Sequence, residues 1–284
     1  MSLLMIGCGK MGSALLTRWA SSTSHQITVI NPSEIEAPAG VIVKHQVEAL
    51  SDKRFDIIVI AIKPQLIEKV LPAYRQHLVD SGCVISVAAG FSVASIEKLI
   101  GEQAIMRVMP NLPARIGRGV SALYANSRCS SEQIKTAHAL TDAVGFTHVT
   151  ADEDELDRVT AVAGSGPGYA FEIARCWIEA AIKLGFSPET ARELVLNTLG
   201  GSIELAMTSE QSAEALRNSV TSKNGTTEAG LKALTEDSKL EELFESTVKA
   251  SYHRAFEFLL LFISPSPFQS PPITPHIFHF FDHS

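Results

Sequence analysis

The chain has 284 residues, 45% of them hydrophobic and 19% charged, enough to bury a substantial core in one or two domains. A formal net charge of −7 argues against a nucleic-acid surface, which needs a clustered basic face to release counterions. The four cysteines, Cys8, Cys83, Cys129 and Cys176, form no CxxC pair, so neither a disulfide framework nor structural zinc is expected, and no apolar run has the length of a membrane span.

Leu3-Leu4-Met5-Ile6 reads as a strand that starts almost at Met1, which leaves no room for a signal peptide and points to a cytoplasmic location. It runs into Gly7-Cys8-Gly9-Lys10-Met11-Gly12 and then a helical stretch from Ser13 to Trp19. Strand, glycine-rich turn and helix in that order are the context a dinucleotide fingerprint requires. Gly7 allows the tight turn, Gly9 close approach of backbone to a pyrophosphate, and Gly12 tight helix-to-strand packing. The next strand, Ile27-Thr28-Val29-Ile30, ends in Asn31-Pro32-Ser33 with no carboxylate at its tip, although Glu34 is near. The usual argument for NAD is therefore missing, small polar groups such as Asn31 and Ser33 could admit a 2′-phosphate, and no arginine decides for NADP.

Asp56 to Ala61 is a β-branched strand followed by Ile62-Lys63-Pro64-Gln65, where Pro64 suits the first turn of a helix. Cys83 to Val87 is the next strand, leading to Ala88-Ala89-Gly90 and a helix from near Ser92, and Ile105 to Met109 the next, leading to Pro110-Asn111. Such alternation predicts a mostly parallel, doubly wound sheet, so Lys63, Ala89, Gly90, Pro110 and Asn111, at or just beyond strand ends, are candidates to line the nicotinamide side, most of them equally readable as turn residues.

After about residue 150 strands give way to helical patterns, with boundaries expected at 1–151, 152–263 and a 264–284 tail. Thr150 with Glu153 resembles a capping box, and Ser187-Pro188 an N-cap with proline at the first helical position. Helices over about 166–184, 188–207 and 239–261 carry more apolar surface than so small a unit can cover, which predicts packing against a second subunit. Gly164-Ser165-Gly166-Pro167 interrupts a helical stretch, as either an αα turn or a place where backbone approaches a ligand. Val220-Thr221-Ser222-Lys223-Asn224-Gly225-Thr226-Thr227 enters another helix with backbone amides and hydroxyls, which suits a small anion, or the hydroxyls simply cap that helix.

Together with Ala61-Ile-Lys-Pro-Gln65, Ser86-Val-Ala-Ala-Gly90 and Arg107-Val-Met-Pro-Asn-Leu-Pro113, these motifs resemble the pyrroline-5-carboxylate reductase family from Met1 to about Phe256. The resemblance implies an α/β N-terminal Rossmann domain, an all-α C-terminal dimerisation domain, a homodimer that often builds a larger ring, and reduction of 1-pyrroline-5-carboxylate to L-proline with NADPH, or NADH as the alternative. It implies that Gly7, Cys8, Gly9, Lys10, Met11, Gly12, Asn31, Ser33, Ala61, Lys63, Pro64, Ala89, Gly90 and Asn111 bind cofactor. It places Ser222, Asn224, Gly225 and Thr226 on the substrate carboxylate and Ser165 and Gly166 beside nicotinamide and substrate. Thr227 would hydrogen-bond the imine nitrogen. Neither a metal nor a nucleic-acid or membrane partner is implied.

The rival readings are a reductase of another cyclic imine or of a β-hydroxy acid, and a nucleotide-binding homologue without full activity. The helical half has no lysine where hydroxy-acid enzymes keep a catalytic one near their glycine-rich turn. Two departures from the family pattern stand out. Lys223-Asn224 replaces the common proline and glycine, where Asn224 can supply the left-handed turn and Lys223 a charge that either serves the ligand or faces solvent. The tail after Phe258 carries five prolines between 265 and 275 and has no family equivalent; its His276, His279 and His283 make a poor metal site by spacing.

Overall fold

The computed structural model describes residues 1–263 of the chain, so the proline-rich segment and its three histidines lie outside the described residues. Eight strands, β1 (Ser2–Ile6), β2 (Gln26–Ile30), β3 (Ile42–Lys44), β4 (Phe55–Ile60), β5 (Leu78–Ser86), β6 (Ala104–Pro110), β7 (Gly119–Ala125) and β8 (Gly145–Val149), form one sheet in the order β3-β2-β1-β4-β5-β6-β7-β8. All pairs are parallel except β6 with β7. The doubly wound, mostly parallel sheet is as the sequence predicts; β3, β7 and β8 are additions to it.

The strands read as unbroken apolar runs because both faces are covered. On one face Leu3, Met5, Val29, Ile57, Val59, Ile85 and Met106 pack under α1 (Lys10–Ser22) and α4 (Ser131–Asp142), contributing Leu15, Leu16, Trp19 and Leu140. The Trp19 indole N–H donates to Leu140 O at 2.7 Å and ties the two helices together. On the other face Leu4, Ile6, Ile58, Ile60, Val84 and Ile105 meet α2 (Pro64–Val70) and α3 (Val93–Ile100) through Ile67, Ile96 and Ile100. Alternate residues of each strand thus serve opposite cores, the period of two that a pleated strand imposes.

Pro64 opens α2, and Ser92 caps α3 by accepting from Ser95 N at 3.1 Å. The helical half comprises α5 (Glu153–Val159), α6 (Gly166–Lys183), α7 (Pro188–Thr208), α8 (Ala213–Ser219), α9 (Thr226–Leu234) and α10 (Lys239–Ile263). Ser187 caps α7 ahead of Pro188, as its sequence predicts.

Two local expectations are corrected. The capping box is not Thr150 with Glu153: Thr150 N still donates to Leu123 O at 2.9 Å as an extension of the β7–β8 ladder, so α5 starts two residues later. Asp152 caps it by accepting from Glu155 N at 2.7 Å, while Glu155 Oε2 accepts from Ala151 N at 2.6 Å. Glu153 is thereby free to turn inward. Nor is there an αα turn at the glycine motif. Thr160–Gly164 widen into a π-helical turn, closed by Ser165 N on Thr160 O at 2.9 Å, and α6 follows directly. π-bulges of this kind occur frequently at functional sites.

Candidate active site

β1 lies between β2 and β4, where the strand order reverses, and Gly7 leaves its carboxyl end at φ 84°. A Cβ at Gly7 would stand 2.4 Å from Ile62 Cγ2 and 2.9 Å from Ala61 O, so the turn admits only glycine. Gly12 packs inward, where a Cβ would lie 3.3 Å from Gly7 O and 3.4 Å from Ala61 Cβ. Gly9 differs from both: a Cβ there would meet nothing within 4 Å, and as N-cap of α1 it makes no side-chain cap. The helix therefore starts with uncapped backbone amides facing open space at the sheet crevice, which is the physical requirement for a pyrophosphate. Cys8, Lys10 and Met11 complete this turn, Lys10 exposed and the Cys8 thiol pushed up by burial, so that Cys8 adds no negative charge there.

Asn31, at the tip of β2, spends its side chain on the turn itself. Its Oδ1 accepts from Cys8 N at 3.1 Å and its Nδ2 donates to Ser33 O at 2.8 Å, while Ser33 itself is exposed. Glu34 is turned to His45, 3.5 Å away. Lys63 and Ala89 are exposed at the same strand edge, and Pro64 is half-buried beside them. Gly90 is not: it is buried at φ 71°, and a Cβ on it would lie 2.7 Å from Phe258 Cβ near the end of α10.

Asn111 also works as a strut. Its Nδ2 donates to Ala163 O at 2.9 Å and its Oδ1 accepts from Val120 N at 2.8 Å, so the end of β6 is bonded to the π turn. That turn presents Ser165 and Gly166, both half-buried, close to the sheet edge; Gly164 would touch Met109 Cγ at 3.8 Å through a Cβ. The structure thus joins the glycine-serine-glycine motif to the strand ends that the sequence assigns to the cofactor.

The Val220–Thr227 turn stands apart, because each of its hydrogen bonds is local: Thr221 Oγ1 donates to Arg217 O at 2.7 Å, Gly225 N to Ser222 O at 2.9 Å and Asn224 N to Glu228 Oε2 at 2.6 Å. Asn224 takes φ 59°, the left-handed conformation that asparagine tolerates. A Cβ on Gly225 would fall 2.4 Å from Ser222 Oγ, so any side chain there must push that hydroxyl aside. It caps α9 without a side-chain bond, so the hydroxyls of Ser222, Thr226 and Thr227 are not consumed as caps; these residues and Lys223 are exposed.

Sequence reasoning missed two features around the π turn. Ser251 of α10 lies 2.8 Å, hydroxyl to hydroxyl, from Ser165. Arg107, only 1% exposed, holds Glu153 Oε1 at 2.7 Å through Nη1 and faces Asp157 Oδ1 at 3.7 Å through Nη2. Burial pushes the Asp157 carboxyl up to about 6 against the pull of Arg107. The signal was present: an arginine inside the apolar run Ile105-Met106-Arg107-Val108-Met109 demands a buried partner, and acids at 153 and 157 share one helical face.

Comparison with known proteins agrees with this geometry. Residues 153–258 match the family described as pyrroline-5-carboxylate reductase dimerisation, and residues 2–90 that described as NADP oxidoreductase, coenzyme F420-dependent. The chain is 36% identical to a pyrroline-5-carboxylate reductase of Pseudomonas aeruginosa over 90% of its own length and 96% of the relative's. It is 33% identical to pyrroline-5-carboxylate reductase 2 of Bacillus subtilis over 89% and 93%. Among solved structures it superposes on the pyrroline-5-carboxylate reductase of Coxiella burnetii with a TM-score of 0.83 and 33% identity, covering 90% of this chain and 97% of that one. A Plasmodium falciparum pyrroline carboxylate reductase with NADP bound gives 0.81 at 28% identity, covering 91% and 98%. With the fingerprint at the sheet crevice, the π turn on the strand ends and relatives matched along nearly their whole length, the chain belongs to the pyrroline-5-carboxylate reductase family.

Proposed function

We propose that the chain reduces 1-pyrroline-5-carboxylate to L-proline with NADPH, NADH being the alternative donor. The observation that carries the cofactor half is the open, uncapped start of α1 over Gly9. Bound there, a nicotinamide cofactor supplies the hydride, and the protein's work is to hold it and the substrate in line. Gly7, Cys8, Gly9, Lys10, Met11 and Gly12 would hold the pyrophosphate, and Asn31 and Ser33 the adenosine end. Ala61, Lys63, Pro64, Ala89, Gly90 and Asn111 would shape the nicotinamide end, Gly90 and Asn111 through the elements they fix in place.

The substrate is a carboxylate on a ring whose protonated imine carbon accepts the hydride. Ser222, Asn224, Gly225 and Thr226 suit the carboxylate because they offer a hydroxyl and backbone amides at a helix start. Thr227 Oγ1 is assigned to the imine N–H, and Ser165 and Gly166 to the wall facing the nicotinamide. Since the Val220–Thr227 turn bonds only within itself and to the flanking Arg217, Asn218 and Glu228, we assign its approach to a sheet edge to a homodimer. The exposed Phe171, Trp177, Leu205 and Met207 on α6 and α7 are the surface for that pairing. The boundary near residue 151, and a cytoplasmic location, belong to the same reading; no helix among the described residues is long and apolar enough to cross a membrane. The test is oxidation of NADPH and, separately, NADH at matched concentrations with pyrroline-5-carboxylate. Substrate-dependent oxidation supports the assignment, and cofactor binding without oxidation refutes it.

A further inference from the structure

The guanidinium of Arg107 is one buried cation facing two carboxylates, and it treats them unequally. Nη1 reaches Glu153 at 2.7 Å as a hydrogen bond, while Nη2 lies 3.7 Å from Asp157 and, with Nε, makes no hydrogen bond. Glu153 Oε1 also accepts from Val93 N at 3.1 Å, the first helical amide of α3, so this carboxylate ties β6, α3 and α5 at one point. Asp157 has no such second partner and is 4% exposed. One guanidinium thus faces two carboxylates, Glu153 partly exposed and Asp157 buried, and a buried carboxylate with no hydrogen bond to its side chain is a cost. Asn in its place would keep the shape and remove the cost. A buried carboxylate of this kind, facing a buried arginine beside the site, points to a function, because such groups cluster at functional sites.

Its place in the chain suggests that function. Thr160 N donates to the carbonyls of Leu156 and Asp157, and the π turn begins at Thr160. From there the backbone passes Ala163, held by Asn111, and reaches Ser165, held by Ser251. Three side-chain hydrogen bonds reach this turn from outside α5: from Asn111 of the sheet, from Ser251 of α10, and from Tyr169 of α6, whose hydroxyl donates to Ala161 O at 3.2 Å. From the α5 side it is held by Thr160 Oγ1 on Leu156 O at 2.8 Å and by the seating of α5 on Arg107. We propose that Asp157, through Arg107, is a positioning residue: it fixes the angle at which α5 leaves the sheet and so holds Ser165 and Gly166 at the distance from the nicotinamide that hydride transfer requires. This rests on the reading of the site given above.

The groups that face Asp157 are few: Arg107 from β6, Glu153 and Asp154 from its own helix, and Tyr252 of α10, whose hydroxyl donates to Asp154 Oδ1 at 2.5 Å. With its carboxyl at about 6, Asp157 is ionised at neutral pH and protonates below it. Turnover should then fall as pH drops through about 6 while cofactor affinity does not.

The test compares the full-length wild type with Asp157→Asn and Arg107→Lys. Asn should melt no lower than wild type at pH 8, lower kcat about tenfold, as a small misplacement of reacting groups does, and leave the NADPH Kd within about twofold. Its kcat should be flat where the wild type shows an acid limb. Lys, too short to span both acids, should lose the same limb. Independently of turnover, hydrogen exchange of backbone amides 160–166 should quicken in Asp157→Asn while that of β1 and α1 is unchanged. Unchanged exchange in that segment overturns the proposal. So does a kcat that falls only in step with melting temperature and cofactor affinity, which is the mark of a merely structural pair. A wild type without activity on pyrroline-5-carboxylate would sink the reaction assignment instead, and the exchange measurement would still decide the role of Asp157.

Discussion

Between Leu3 and Val144 each face of the sheet closes over its own core, and Leu3, Leu4, Met5, Val59, Ile60 and Ile105 are fully buried within a single chain. Beyond Val162 the buried hydrophobic residues among those described are Ala174, Ala191 and Val195, while Phe171 is 60% exposed and Met207 70%. The first half has satisfied its apolar surface and the second has not. A helix with large side chains on open faces is stable where another surface covers them, and in the proposed reading the second half takes that surface from a second chain. In the proposed reading the site inherits this division: the cofactor cradle lies within one chain, whereas the substrate turn waits on assembly.

The sharpest way to break the comparison is to cut equivalent side chains from both halves. Ile58→Ala, removing a side chain 2% exposed, should cost about 2–5 kcal/mol, and the loss should be the same at every protein concentration. Trp177→Glu, at a position 45% exposed in the single chain, should instead dissociate the dimer, weakening association by about thirtyfold or more. Sedimentation would show the mass halved, and melting would become independent of concentration. A variant that keeps the wild-type mass would show that this face is not the interface and that the two halves are not so different.

The same division explains what could be seen in the sequence. β1, β4 and the end of β5 were legible because strands buried on both faces need unbroken β-branched and apolar runs. β3, β7 and β8 were not: Ile42–Lys44 is three residues long, Gly119–Ala125 is rich in small residues, and Gly145–Val149 exposes Phe146 and Val149 on its outer edge. The fingerprint turn was legible down to the separate roles of Gly7 and Gly12, since those roles are steric and local. Arg107 was not placed, because its partners lie 46 and 50 positions along the chain and only the fold brings them in. Thr150 misled for a related reason: a local capping pattern lost to a ladder bond from Leu123 that no local rule contains.

If the catalytic half of the site depends on the second region, substitutions there should strike chemistry or substrate and spare the cofactor. Thr227→Ala should lower kcat by about a hundredfold, the scale of a hydrogen-bonding group on the reacting atom, with the NADPH Kd within about twofold of wild type. Unchanged turnover would remove Thr227 from its assigned role. Ser222→Ala should raise the substrate KM by about tenfold, as expected for one hydrogen bond to a carboxylate, at nearly constant kcat. Gly225→Ala offers a check by a different route, because its Cβ would lie 2.4 Å from Ser222 Oγ and must displace it. The KM of Gly225→Ala should therefore rise at least as far, and a normal KM there would mean that the Ser222 hydroxyl does not touch substrate.

The smallest expected effect concerns Lys223, which brings a positive charge to a turn assigned to an anion. Its side chain is exposed, and the turn geometry does not need it: Asn224 supplies the left-handed residue and Gly225 N closes on Ser222 O at 2.9 Å. An exposed ammonium acts on a neighbouring carboxylate through water, where the attraction is weak and salt removes much of it. Lys223→Gln should thus raise KM by less than about threefold at low ionic strength, and the difference should vanish as salt is added. A larger rise that survives salt would mean the ammonium is desolvated against the substrate. Assembly would then have buried Lys223, and the second chain would shape the substrate pocket as well as cover the apolar faces of α6 and α7.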